Sequence, residues 1–500
     1  MISPAPTISP ARVGAFLAVA AAALAQPSAV AGAGPATTSI AATPSLSPKF
    51  DPAISDYVSH CPAKKPLRLS VSTAPGDTVA VDGKKARAGR FSAPVRLKAN
   101  QGTRFVLRTH GRSSTFYVRC IPADFFAWKA TRYGPTQAQW YLMTPIGPAS
   151  SRYVAISDSN GVPVWWTRTP HPPFNASALR DGTLAWCRYL GGRFAVAPIE
   201  RYEIHRLDGR LVRTLRLVGT PTDLHELQQL PNGNFLLGGY KARTGVDLRA
   251  YGGAADSKVY DAYVQEITPS GRKVWDWDSK DHIDLSETAD WWPALIQEQR
   301  QSPARSRYYD LVHINSIEPD GDSLILSFRY LDAIYKINRS TGAVEWKIGG
   351  THRPESLNIV GDPTYGGATF GGQHDARVLP DGTVTVFDNG TARERPPRAV
   401  RYRVDETART ATLLEQITDP EANRSGYAGS ARKLPGGNWV VSWGGTTLVT
   451  EASPSGQPLL RLSLLRSHYS YRAFPIPFGR LSAGALRKAM DKMNPRGRHH

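Results

Sequence analysis

The sequence predicts an all-β chain: a six-bladed β-propeller preceded by a small N-terminal β-sandwich. Three observations carry that expectation. The 44 glycines and 39 prolines among 500 residues suit many short strands joined by tight turns better than long helices. A unit of strand, glycine turn and strand recurs five times between Leu179 and Val441. Between Leu67 and Cys120, short stretches alternate apolar and polar residues, punctuated by Pro75-Gly76, Asp82-Gly83, Gln101-Gly102 and His110-Gly111. A 41% hydrophobic chain of this length buries at least one large core, and three cysteines exclude a disulfide-built scaffold or a four-thiolate metal site.

The elements follow in chain order. Residues 1–25 read as a signal peptide: an apolar run from Val13 follows one charge, Arg12, and closes with Ala23-Leu24-Ala25 ahead of Gln26. That run is too short to span a bilayer, so the expected product is secreted or extracytoplasmic, without stable membrane insertion. Residues 26–58, rich in Ala, Pro, Ser and Thr without periodicity, are expected to be a disordered linker. The sandwich occupies 59–122. Cys61 and Cys120 bracket it, and an oxidising compartment would join them; two free buried thiols are the alternative. Cys187 is left over as a small apolar strand residue.

Residues 123–480 make the propeller. The turn glycines Gly182, Gly233, Gly321, Gly382 and Gly437 are spaced by 51, 88, 61 and 55 residues, close to one four-stranded blade each with the surplus in loops. Second hairpin turns at Asp208-Gly209, Ser270-Gly271, Thr341-Gly342 and Ser455-Gly456 lead to outer strands. A sixth blade is assembled from Trp140–Met143, Tyr153–Ile156 and Val162–Trp166, completed by the C-terminal stretch Arg472–Phe478. Five or seven blades are the alternatives. The insertions Gly245–Val259 and Asp281–Tyr308 should rim one face as loops. Residues 481–500 read as a basic, solvated C-terminal tail, with surface attachment as the lesser role.

Function is written in the register of the histidines. His225, His313 and His374 each lie eight residues before a turn glycine, whereas the flanking units have Phe174 and Gly429 there. In a propeller, the first strand of each blade lines the channel, so equal offsets put three imidazoles at one level. A lone histidine is usually a satisfied core residue; three at one offset favour a convergent site. Asn315 stands two residues after His313, on the same side of its strand, and Arg329 falls eight residues after Gly321. Glu226 and Asp375 adjoin histidines and should point away from them. Asp223 either shares the face of His225 or caps a turn. Three histidines can hold Zn²⁺, but the forked guanidinium fits a tetrahedral oxyanion better. Trp291, Trp292, Tyr330 and Tyr240 are the aromatic candidates at the channel mouth.

The segments Asp223–Asn234, Val312–Ser316 with Ser327–Arg329, and Gly372–Ala376 together resemble the arylsulfate sulfotransferase family. The resemblance runs from about Cys61 to Phe478. It implies an exported six-bladed propeller with a small N-terminal sandwich, acting without phosphoadenosine phosphosulfate or any other cofactor. It further implies sulfuryl transfer from an aryl sulfate donor to a phenolic acceptor through a sulfohistidine. On that resemblance His374 is the nucleophile. His225, His313, Asn315 and Arg329 take the sulfuryl-binding and acid–base positions, and Ser430 supplies a polar contact from the next blade. Two other function classes stay open: a metal-dependent hydrolase or lyase on the three histidines, and a non-catalytic propeller binding anionic glycans. The net charge of +19 suits anionic partners of either kind. Nucleic acid is not expected, because the export signal removes the chain from it and no recognition motif appears. A homodimer stays open as the assembly.

Overall fold

A computed structural model describes residues 37–496, apart from 63–64, 148–151, 191–199, 304–306, 365–369 and 394. The expected signal peptide, 1–25, lies outside the described residues. The chain is mostly β, and no described helix is long and apolar enough to cross a membrane.

Two sheets come first. Ser39–Thr43, Leu67–Ser72 and Arg90–Val95 form one, and Asp56–Ser59, Arg112–Cys120, Gly102–Thr109 and Thr78–Val81 the other. Strand alternation decides what is buried: Leu67, Leu69 and Val71 turn inward while Arg68 and Ser70 face water. The inward residues meet Tyr57, Val79, Phe105 and Phe116 in one core shared by both sheets. Two of these strands correct the expected linker over 26–58. Its described part pairs because Ile40, Tyr57 and Val58 give it inward apolar side chains that the Ala/Pro/Ser/Thr composition concealed.

Cys61 and Cys120 are bonded, with Cα atoms 5.4 Å apart and 59 residues between them in sequence. Because that bond closes a long loop in the unfolded chain, C61S combined with C120S is expected to cost about 2–4 kcal/mol. Denaturant titration of the two proteins checks this, and an unchanged midpoint would refute it. Cys187 is free and buried.

Six further sheets follow, each built on an antiparallel meander running outward from an inner strand, with Tyr309–Asp310 and Asn358–Val360 added in parallel to two of them. The inner strands are Pro173–Ala178, Thr222–Gln229, Ile314–Asp320, His374–Val378, Ser430–Lys433 and Tyr469–Pro477. They touch one another in that order, and the last returns to the first. Closure uses both ends of the chain. Tyr469–Pro477 pairs with Ala138–Ile146 as the inner strand of one sheet, and Trp128–Arg132 pairs with Pro458–Leu464 as the outer strand of its neighbour. The five marker glycines all have positive φ, between 59° and 94°, which is why glycine recurs there. These turns lie on one face of the ring; the histidines lie on the other.

Both insertions are more ordered than loops. The hairpin Phe235–Val246 with Ser257–Ile267 extends past the ring, and the second insertion ends in the helix Trp292–Arg300. Trp292, Leu295 and Ile296 pack with Leu248 and Tyr309, so Trp292 belongs to the core and not to a channel mouth. The expected solvated tail is also corrected. Residues Ala483–Met493 form a helix capped by Ser482, and Leu486, Ala489 and Met490 are buried with Trp166. Its basic residues reach back to the first two sheets: Arg487 pairs with Asp56 at 2.8 Å and Arg496 with Asp82 at 2.8 Å.

Candidate active site

The inner strands lose their regular register where the candidate residues sit. Pairing slips between Thr222 and Leu227, between Ile314 and Ser316, and between His374 and Arg377. Such bulges break strict alternation and re-aim side chains. His313 and Asp375 take left-handed backbone conformations, φ 50° and 58°, which cost of order 1–3 kcal/mol each and persist because their surroundings hold them.

The result is a cluster. The rings of His225 and His313 meet edge-on with centroids 4.9 Å apart. Tyr471, from the closing strand, lies 5.5 Å from His225 and 6.4 Å from His374. All three histidines are buried, His374 most completely at 1% exposure.

Each imidazole is anchored through Nδ1. In His225 that atom lies 2.7 Å from Asp223 Oδ2, and in His313 it lies 2.7 Å from Asp310 Oδ2. His374 differs: its Nδ1 faces Asn389 Oδ1 at 2.7 Å and the Gly372 carbonyl at 2.9 Å. Asn389 is fixed in that sense because its amide donates to the Ala428 carbonyl at 2.9 Å, which can only accept. Two acceptors on Nδ1 place the proton of His374 there and leave the lone pair on Nε2. Burial lowers the pKa of His374 well below the usual histidine value, and the charge of Arg329 lowers it further. A neutral, tautomer-fixed imidazole is a nucleophile.

The His313–Asp310 pair behaves differently. Burial pushes Asp310 up to about 7, opposed by the hydrogen bond from the His313 backbone N–H. Burial, then the charges of His225 and Arg329, lower His313 well below its usual value. When Asp310 is protonated it donates to Nδ1 and His313 keeps its own proton on Nε2. When Asp310 is ionised it accepts from Nδ1–H, and Nε2 is a base. The pair therefore switches Nε2 between donor and acceptor near neutral pH.

Arg329 lies in a short 3₁₀ turn, Arg329–Leu331, just past the strand Ser323–Phe328 on which its position was expected. Its guanidinium sits over Trp291 at 4.6 Å and Tyr330 at 4.9 Å, and donates to the Gly426 carbonyl at 2.8 Å. One arm is spent on that carbonyl; the remaining donors face no carboxylate among the described residues. Asn315 donates to the Gln373 carbonyl at 2.7 Å, while its Oδ1 is buried without a hydrogen-bond partner. Ser430 is tied into the ring, its Oγ accepting from the Ala473 N–H at 3.2 Å, and no described contact joins it to a histidine. Tyr240 is buried, its hydroxyl 3.3 Å from the Ile314 carbonyl. Among the described residues, no group of three or more His, Cys, Asp or Glu is placed to hold a metal ion.

Below the histidines the channel is filled by charge. Glu226 pairs with Arg377 and with Arg472, the latter at 3.1 Å. Asp375 binds Arg377 and Arg432, each at 2.7 Å, and Arg377 also reaches Glu318 at 2.9 Å. Glu226 and Asp375 follow His225 and His374 directly in sequence, so the same strands that present imidazoles upward present carboxylates to this network.

A family model for arylsulfotransferase (ASST) matches residues 128–467, most of the chain. The chain belongs to the arylsulfotransferase family. Membership in that family supports aryl sulfotransferase activity on small aromatic substrates. No curated protein matches the chain in sequence. Among solved structures, a Bacteroides caccae protein of unknown function aligns with TM-score 0.40 and 10% identity, covering 68% of this chain and 99% of that one. Streptogramin B lyase aligns with TM-score 0.33 and 10% identity, over 75% and 89% of the respective chains. The Cps50 (Swd1) β-propeller domain of Myceliophteria thermophila gives TM-score 0.34 and 14% identity, over 67% and 88%.

Three residues of the cluster escape sequence reasoning. Asp310 stands only three residues before His313, a spacing that could have flagged it. Asn389 and Tyr471 arrive from 15 and nearly 100 residues beyond His374, and nothing local announces them.

Proposed function

We propose that the chain is an exported, six-bladed propeller sulfotransferase with an N-terminal β-sandwich, working by ping-pong transfer through a sulfohistidine on His374. The observation that carries this reading is the asymmetry of the three imidazoles. One is backed by a neutral amide that fixes its tautomer; two are backed by aspartic acid side chains. Export is supported by the Cys61–Cys120 bond, the chemistry of an oxidising compartment.

In the first half-reaction Nε2 of His374 attacks sulfur, the N–S bond forms, and the aryl O–S bond breaks with its electron pair going to the phenolate. Arg329 supplies charge to the sulfuryl oxygens, and Nε2–H of His313, present while Asp310 holds its proton, donates to the departing phenolate. In the second, an acceptor phenol loses its proton to a histidine and takes the sulfuryl group, releasing neutral His374. Because displacement is in line, leaving and entering oxygens pass through the same position. No third group is consumed.

Incubation with a chromogenic aryl sulfate tests this directly. Phenol should accelerate turnover, and without phenol His374 should gain the mass of one SO₃. Absence of both would sink the proposal. The backing residue is tested separately: N389A, which frees the tautomer of His374, is expected to lower kcat about 10–100-fold with little change in KM. An unaltered kcat would remove Asn389 from the mechanism.

The pH profile follows from Asp310. Its pKa is raised to about 7, so the pair is a proton donor below that pH and loses the proton above it. With a donor whose phenol is a poor leaving group, single-turnover desulfation should fall as pH rises through about 7. D310N should abolish that inflection. A profile that D310N leaves in place would assign the titration elsewhere.

A further inference from the structure

The turn face of the ring, on the far side of the ionic network from the histidines, holds a cavity of about 330 Å³. Its floor is the outer edge of that network, where Arg432, Arg472 and Glu226 emerge. Its rim adds Arg180, from the turn of one inner hairpin, and Arg480, just past the closing strand. The Arg180 backbone N–H donates to Gln229 Oε1 at 2.9 Å, which fixes where that side chain starts. Phe474 lines the wall, with the Arg432 guanidinium 5.8 Å from its ring centroid.

Charge balance singles this mouth out. Inside the network Arg377, Arg432 and Arg472 face Glu226, Glu318 and Asp375, cation for carboxylate. Arg180 and Arg480 have no carboxylate partner among the described residues, so the rim carries uncompensated positive charge. A concave, partly apolar wall focuses such charge on whatever enters. The volume exceeds what a bare tetrahedral ion fills and suits a small organic ligand, and Phe474 offers that ligand an aromatic face.

We infer that this mouth is a second ligand site, for an aromatic oxyanion such as an aryl phosphate or sulfate, held by Arg180 and Arg480 against Phe474. The site is one of binding only. No histidine or cysteine lines it, and the ionic network separates it from His374.

Calorimetric titration of the full chain with phenyl phosphate tests this without relying on catalysis. Two sites are expected. R180E combined with R480E should weaken one of them by about tenfold or more and leave the other in place, and R180Q with R480Q should show a smaller loss in the same site. R329Q should weaken the other. Inorganic phosphate should bind the turn-face site more weakly than phenyl phosphate. A wild-type protein with no site that R180E with R480E weakens would overturn the inference. Equal affinity for inorganic phosphate would overturn its aromatic part. Failure of the sulfotransferase reading would show in the aryl sulfate assay and at the site that R329Q weakens, and would leave the site that R180E with R480E weakens unchanged.

Discussion

Replacing His374 by alanine is expected to lower kcat for sulfuryl transfer by about four orders of magnitude or more, and to eliminate the SO₃ adduct. The imidazole is the attacking group, and alanine offers no lone pair. Neither His225 nor His313 can take over, because each is anchored through Nδ1 to its own carboxylate and cannot swing to the position of His374. His374 is buried, and its loss opens a space beside Tyr471, so a thermal midpoint measured alongside separates lost chemistry from lost folding. H374A that folds as the parent does and still turns over an aryl sulfate with phenol stimulation would refute the assigned nucleophile.

The largest expected loss of stability lies one residue further on. Asp375 is fully buried and accepts from Arg377 and Arg432, with Arg472 3.2 Å away. Burial alone would raise its pKa; the guanidiniums of Arg432, Arg377 and Arg472 win and hold it well below the usual carboxylate range. D375A leaves three buried cations facing Glu226 and Glu318, and is expected to cost about 3–5 kcal/mol. The sign of the pH dependence follows from the depressed pKa. The contribution is fully present above the unfolded-state value of about 3.9 and declines as pH falls below it. Urea midpoints of D375A and parent should therefore differ by a constant amount from pH 5 to pH 8 and converge in stronger acid. Equal midpoints at pH 7 would show that the network is neutral to stability.

Much of the site was legible because a repeating fold writes function as an offset. The turn glycines marked each inner hairpin, and three histidines eight residues ahead of them stood out against Phe174 and Gly429. The cysteine pair was legible for a similar reason, since two thiols bracketing a small domain have few other uses in an oxidising compartment. What failed were the places where composition stood in for pattern. The stretch ahead of Cys61 looked like a linker, and the last twenty residues like a solvated tail. Both contain a few apolar residues whose partners lie hundreds of positions away, such as Met490 beside Trp166. Ser430 was named on the resemblance alone, since Gly429 holds the histidine offset in that unit, and its hydroxyl accepts from the Ala473 N–H.

The chain's order of residues by itself pointed to the repeat, the turn positions, a Cys61–Cys120 bond as one of two readings, and a grouping of His225, His313, His374 and Arg329. Those are local or periodic properties, readable from spacing. Only the tertiary structure decided how the imidazoles differ. Asn389 reaches one from 15 residues away, Asp223 and Asp310 back the others from two and three residues away, and the bulges that aim each ring depend on the neighbouring strand. It also decided that the channel is filled by charge beneath the histidines, because six arginine and carboxylate side chains from five different strands meet there. Proton placement and pKa depend on burial and on partners distant in sequence, and those exist only once the ring has closed.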